Sequence, residues 1–133
     1  TVCGGSAVTL IASGGMLYNA IQAAEQLEQK GIRSRVLSMH TIKPLDTEAV
    51  LTAAQETGAI ITIEEHNIIG GLGSAVAEVL AESAKSHITF KRMGIKDTFC
   101  SQVGSQEYLR KAYFLSVEGI VSEAVHLLRG EEA

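Results

Sequence analysis

The strongest constraint on this chain is a repeated alternation between short apolar runs and helix-patterned segments, with glycine or proline at the junctions. The first run, Ala7-Val8-Thr9-Leu10-Ile11-Ala12, has the length and residue types of a strand covered on both faces, and Ser13-Gly14-Gly15 ends it. Leu17, Ala20, Ile21, Ala24 and Leu27 then recur at helical spacing, and Gly31 stands where a left-handed C-cap belongs. A second strand, Arg35 to Met39, leads into Thr41-Ile42-Lys43-Pro44-Leu45-Asp46, where proline breaks the strand. Asp46 is placed to cap the next helix, with Leu45 and Val50 as a hydrophobic staple across that cap. The third strand, Ala59 to Ile63, runs into Glu64-Glu65-His66-Asn67 and the turn Gly70-Gly71-Leu72-Gly73-Ser74, which opens a third helix.

Ile88 to Met93 alternates apolar and polar residues, as an edge strand does. An irregular stretch containing Asp97, Phe99 and Cys100 follows, then a short helix around Glu107 to Lys111. The final helix carries Ile120, Val121, Ala124 and Leu128, with Ser116 as its cap, Gly130 as its stop and Leu115 and Ile120 as a staple. This order predicts an α/β fold: one three-layer α/β/α domain over residues 1–133, with a mainly parallel sheet of about four to five strands in the order 2-1-3-4. The topological switch then falls between strands one and three, so a small ligand is expected where the turns Ser13-Gly14-Gly15 and Glu65 to Gly73 meet.

Composition removes several classes of function. A chain of 133 residues with 46% hydrophobic residues and one proline buries a sufficient core without a disulfide or metal staple. Net charge is −4 and the eleven Lys and Arg are scattered, which argues against nucleic acid. No run approaches the roughly 18 to 20 apolar residues of a membrane span, and no signal peptide opens the chain. Cys3 and Cys100 are far apart and form no CxxC, which fits a reducing, cytoplasmic setting. The start at Thr1 rather than Met is read as a processed or excised terminus.

The glycine-rich turn at residues 70–74 invites an anion at a helix N-terminus. A dinucleotide site fails on context: such a fingerprint follows the first strand, Val76 holds the place of the third small residue, and His40 rather than an acid ends the second strand. The plainer reading is a tight turn packed closely against the sheet or a partner. Glu64, Glu65 and His66 pair carboxylates with an imidazole, but no second metal ligand or nucleophile accompanies them, so a charged strand end at a subunit contact is favoured over catalysis. Cys100 is read as a small buried thiol without an activating base, and His40, His87, His126 and Lys43 as ordinary. Ser13 stands where a phosphorylated-receiver pocket needs an acid, so that reading falls.

Thr41-Ile42-Lys43-Pro44-Leu45-Asp46, then Glu64-Glu65-His66 followed by Gly70-Gly71-Leu72-Gly73-Ser74-Ala75-Val76-Ala77-Glu78, and Gly94-Ile95-Lys96-Asp97-Thr98-Phe99, together resemble the C-terminal domain of transketolases. The likeness spans about Ala7 to Leu128 and is nearest to split transketolases, in which this domain ends a separate C-terminal subunit. It is more distantly similar to deoxyxylulose-phosphate synthases and to 2-oxo-acid dehydrogenase beta subunits. The resemblance implies a Rossmann-like domain of an enzyme that moves two-carbon ketol units between sugar phosphates, using thiamine diphosphate and magnesium held by other domains. The sequence contains no Gly-Asp-Gly followed by an Asn pair, the family's metal and diphosphate element, so neither is expected to bind here. Implied partners are the remaining transketolase domains or an N-terminal subunit, in a homodimeric parent. The family's possible regulatory site carries over only to Glu65, His66, Gly71, Gly73 and Ser74, as interface or anion contacts, with no catalytic residue; a stand-alone anion or nucleotide sensor is the rival reading. Cys100 and Phe114 stand where relatives usually have glycine, and the family's extra edge strand before Ala7 is missing or reduced to Thr1-Val2-Cys3.

Overall fold

In the computed structural model, which describes residues 1–83 and 88–130, strand and helix alternate as the apolar pattern dictates. The elements are β1 (Val8–Ala12), α1 (Met16–Gln29), β2 (Ser34–Ser38), α2 (Thr47–Glu56), β3 (Ala59–Asn67), α3 (Leu72–Glu82), β4 (Thr89–Ile95), α4 (Gln106–Ala112) and α5 (Val117–Arg129). The sheet is parallel throughout in the order β2-β1-β3-β4. β1 is central and wholly buried, with Leu10 paired to Val36 on one side and Ile61 on the other.

Side chains alternate across the sheet, so each face builds its own core. Leu10, Ile61 and Ile63 pack beneath α1 and α5 with Leu27 and Ile120. On the opposite face Ile11, Leu37 and Ile60 pack beneath α2 and α3 with Val50, Leu72 and Val76. Burying each such side chain stabilises the fold by about 1.5–3 kcal/mol.

The predicted helix ends are present in the structure. Asp46 accepts the Ala49 amide at 2.9 Å, Ser116 accepts the Gly119 amide at 3.2 Å, and Gly31 and Gly130 take left-handed φ values of 77° and 65°. Ser105, not anticipated, caps α4 by accepting the Tyr108 amide. At the N-terminal end the Val2 amide donates to the Val36 carbonyl and the Val36 amide to the Cys3 carbonyl, so Thr1-Val2-Cys3 forms one antiparallel bridge beside β2. β3 extends to Asn67, because β4 continues to Ile95 and supplies ladder partners for a sequence too polar to announce a strand. His87 lies outside the described residues. No helix among the described residues is long and apolar enough to cross a membrane.

Phe114, between α4 and α5, has φ 60° and is 77% exposed. A bulky side chain in the left-handed region costs about 1–2 kcal/mol, and here burial returns little of it. Phe114→Gly should therefore raise unfolding free energy in urea by about 1 kcal/mol, net of the extra freedom glycine gives the unfolded chain; a loss of stability would show that the aromatic ring contributes packing that its exposure does not reveal.

Candidate functional site

Strand parity divides the Glu64-Glu65-His66 cluster. Residues two apart on a strand share a face, so Glu64 points with Ile60 and Thr62 towards α3, while Glu65 points with Ile61 and Ile63 towards α1. The pairing register with β4 shifts between Ile63 and Asn67, so the cluster lies in a bulge, an irregularity that re-aims side chains at strand ends.

Glu64 is fully buried. Its Oε2 accepts the Leu72 amide at 2.6 Å and its Oε1 accepts the Gly73 amide at 3.1 Å, while His66 Nδ1 lies 3.0 Å from Oε2. These amides form the first turn of α3, which has no side-chain cap of its own. The carboxylate therefore satisfies orphan donors and sits at the positive end of the helix dipole. An external anion would have to displace it.

Gly71 is explained by the same carboxylate, and Gly73 by the neighbouring Thr62 and Arg92 side chains. A Cβ on Gly71 would overlap the Glu64 carboxylate, and one on Gly73 would come within 2.7 Å of both Thr62 Oγ1 and Arg92 Cγ. Ser74 closes the turn from outside: its Oγ accepts the Gly70 amide at 3.0 Å and donates to the Ile68 carbonyl at 2.9 Å, and Arg92 reaches both Ser74 Oγ and that carbonyl at 3.1 Å. His66, Gly71 and Gly73 thus gather around Glu64, with Ser74 beside them, and the half-exposed His66 ring is their solvent-facing member. Outside the turn, a groove of about 420 Å³ includes Lys43, Gly70, Gly71, Ser74, Glu78 and Glu82 in its lining. One cation against two carboxylates is a poor balance for an anion.

Glu65 belongs to a different network. Arg110 of α4 grips it in a fork, Nε to Oε1 at 2.8 Å and Nη2 to Oε2 at 3.0 Å, and Gln106 adds a bond at 3.2 Å. Arg110 also donates to Asn19 Oδ1 at 3.2 Å, and the buried Asn19 amide donates to the Leu115 carbonyl. This network lies over Gly15, so α4 fills the predicted switch-point crevice with its own guanidinium. The hydrogen bonds from Arg110, opposed by partial desolvation and aided by that residue's charge, hold the Glu65 carboxyl below its ordinary value of 4.5.

Cys100 is exposed, contrary to the expectation of a buried thiol. The segment around it is exposed, its own Phe99 and Val103 included, and gives it no cover; its recorded partners are the Gln102 carbonyl at 3.6 Å and the Tyr113 phenol, whose pKa it pushes up. His40 is exposed at the end of β2 and His126 lies in the last turn of α5. Sequence reasoning gave no role to Glu64 alone, nor to Arg110, Gln106 or Asn19. The signal for Glu64 was present: it is the last buried position of β3 with the parity of Ile60, ahead of a glycine-rich helix start.

Glu64→Ala should lower unfolding free energy by about 3–5 kcal/mol, because two buried amides lose their acceptor; Glu64→Gln, which keeps one carbonyl acceptor, should cost about 2 kcal/mol. Urea denaturation compares them, and equal small losses would contradict the capping role. For Glu65 the folded value is the lower one, so its stabilisation is complete above the unfolded value near 4.5 and disappears as pH falls through the folded value. The stability gap between wild type and Arg110→Met should accordingly be constant near neutrality and close on acidification below about pH 4.5; a gap that widens there would contradict the pairing.

Residues 1–120 match the family model for the transketolase C-terminal domain. A 6-deoxy-6-sulfo-D-fructose transketolase subunit of a Clostridium species is 44% identical over 120 residues, 90% of this chain and 36% of that protein. One subunit of an apulose-4-phosphate transketolase from Phocaeicola vulgatus is 42% identical, covering 97% of this chain and 40% of that protein. A 1-deoxy-D-xylulose-5-phosphate synthase of Geobacter sulfurreducens is 41% identical, over 97% of this chain but 20% of its own length. Among solved structures, a split-gene transketolase described as an inactive beta4 tetramer superposes with a TM-score of 0.87 at 38% identity, covering 98% of this chain and 42% of that one. The chain spans less than half the length of these relatives. With sequence and fold in agreement, the chain belongs to the transketolase C-terminal domain family.

Proposed function

We propose that residues 1–133 are one C-terminal domain of a split transketolase-type enzyme, which docks on the remaining domains or an N-terminal subunit and supports a homodimeric parent in the cytoplasm. The parent would transfer two-carbon ketol units between sugar phosphates. The observation that carries this reading is the state of the sheet's carboxyl end, where a doubly wound sheet ordinarily receives its ligand. There Glu64 and Arg110 occupy the anion-binding amides and the switch-point crevice, while Tyr18, Ile69, Phe99, Val103 and Tyr108 expose large apolar side chains on the elements around it. A filled crevice with an apolar surround suits a protein partner better than a metabolite.

Thiamine diphosphate serves the parent class, and when bound there it supplies the carbanion chemistry of ketol transfer. The described residues of this chain do not fit it. A magnesium diphosphate needs hard oxygen ligands gathered in one loop, and among the described residues no three or more His, Cys, Asp or Glu side chains are placed to hold a metal ion together. Of Glu65, His66, Gly71, Gly73 and Ser74, the half-exposed His66 ring is the polar contact nearest the partner, with the part-exposed Glu65 and Ser74 beside it, while Gly71 and Gly73 lie buried and shape the turn from beneath. Likeness to the synthase supports a second reading, in which the parent is a longer single chain; the length of the parent reading frame separates the two.

Calorimetric titration of residues 1–133 with thiamine diphosphate and magnesium should show no saturable heat, and tight magnesium-dependent binding would overturn the assignment. In the full parent, Ile69→Asp should weaken subunit or domain association at least about tenfold, as expected for a charge placed in an apolar contact. Unchanged association by sedimentation would remove Ile69 from the interface.

A further inference from the structure

Residues 96–108 form an unbroken exposed stretch, and α4, which begins within it, buries none of its side chains. Phe99 and Val103 are 97% and 96% exposed. A helix of 7 residues has no stability of its own, and in most proteins an apolar face supplies what is missing. α4 lacks such a face. Its recorded attachments to the rest of the fold are polar: the Arg110 fork on Glu65, Gln106 on the same carboxylate, and Arg110 on Asn19. Each joins α4 to a residue more than forty positions away in sequence.

Gly15 has a specific part in this seat. Its φ of −62° and ψ of −17° are helical, so alanine fits the backbone there. The absent side chain matters instead because a Cβ would stand 2.9 Å from Arg110 Nη2 and 3.3 Å from Glu65 Oε2. The glycine leaves room for the guanidinium to lie over the turn after β1.

We propose that residues 96–112 are a polar strap, latched by Glu65 and Arg110 over the switch-point crevice, that opens as a unit while the sheet and the helices on its faces stay folded. Opening releases the Glu65 carboxylate and the Asn19 side chain into the crevice beside Gly14 and Gly15. The energetic basis is the contrast in burial. Separating α4 forfeits a few part-buried polar contacts, whereas separating α1 or α5 exposes Leu27, Ile120 and their neighbours. The inference concerns this chain alone and does not depend on the family assignment.

Native-state hydrogen exchange of the 133-residue chain tests it. In wild type the amides of Tyr108 and Leu109, which donate to the Ser105 hydroxyl and carbonyl, should exchange at least about a hundredfold faster than the strand amides of Leu10 and Ile61, after correction for intrinsic rates. Glu65→Gln should speed the two strap amides by a further tenfold or so and leave the strand amides within about twofold, since it weakens a charge-assisted fork without touching either core. Gly15→Ala should do the same by displacing Arg110, and it serves as an independent variant. Strap and strand amides exchanging at one common rate in wild type would overturn the proposal, as would variants that accelerate both sets equally.

Discussion

A single buried carboxylate organises the functional end of this fold. Glu64 projects from the last inward-facing position of β3 into the first turn of α3 and accepts two of its amides. The cost of removing a charge from water is large, and it is met here by charge-assisted bonds, a helix terminus and an imidazole. Gly71 leaves room for it, and His66 meets it from the solvent side.

In the doubly wound folds, a helix N-terminus at the carboxyl end of a strand is where ligands collect. This chain has the strand order and the glycines of such a site but fills it from within. On the other face of β3, Arg110 and Glu65 do the same for the crevice beside β1. Closing both positions with side chains of the same chain leaves the exposed apolar surround, Tyr18, Ile69 and Tyr108 among it, as what this end presents to solvent.

Local signals were legible in the sequence. The apolar runs, Asp46, Ser116, Gly31 and Gly130 each act within a few residues of themselves, so their effect could be read without knowing the fold. Strand order followed from the alternation alone. What could not be read were pairings set by three-dimensional proximity. Arg110 meets Glu65 across 45 positions, and a helix with no buried residue carries no periodicity to reveal its role. Glu64 and Glu65 look equivalent as letters, and only strand parity, continued through an irregular register, sends them to opposite faces. Cys100 was misjudged because thiol burial is a tendency of the residue type, whereas its surroundings here are open.

The most direct test is a titration of the 133-residue chain with inorganic phosphate and then diphosphate, followed by the amide proton and nitrogen resonances of Leu72 and Gly73. If Glu64 already occupies those donors, both resonances stay fixed at millimolar ligand, apart from the uniform drift that ionic strength gives every exposed amide. Saturable displacement of these two signals would mean that the carboxylate yields to an outside anion, and the built-in cap would have to be abandoned.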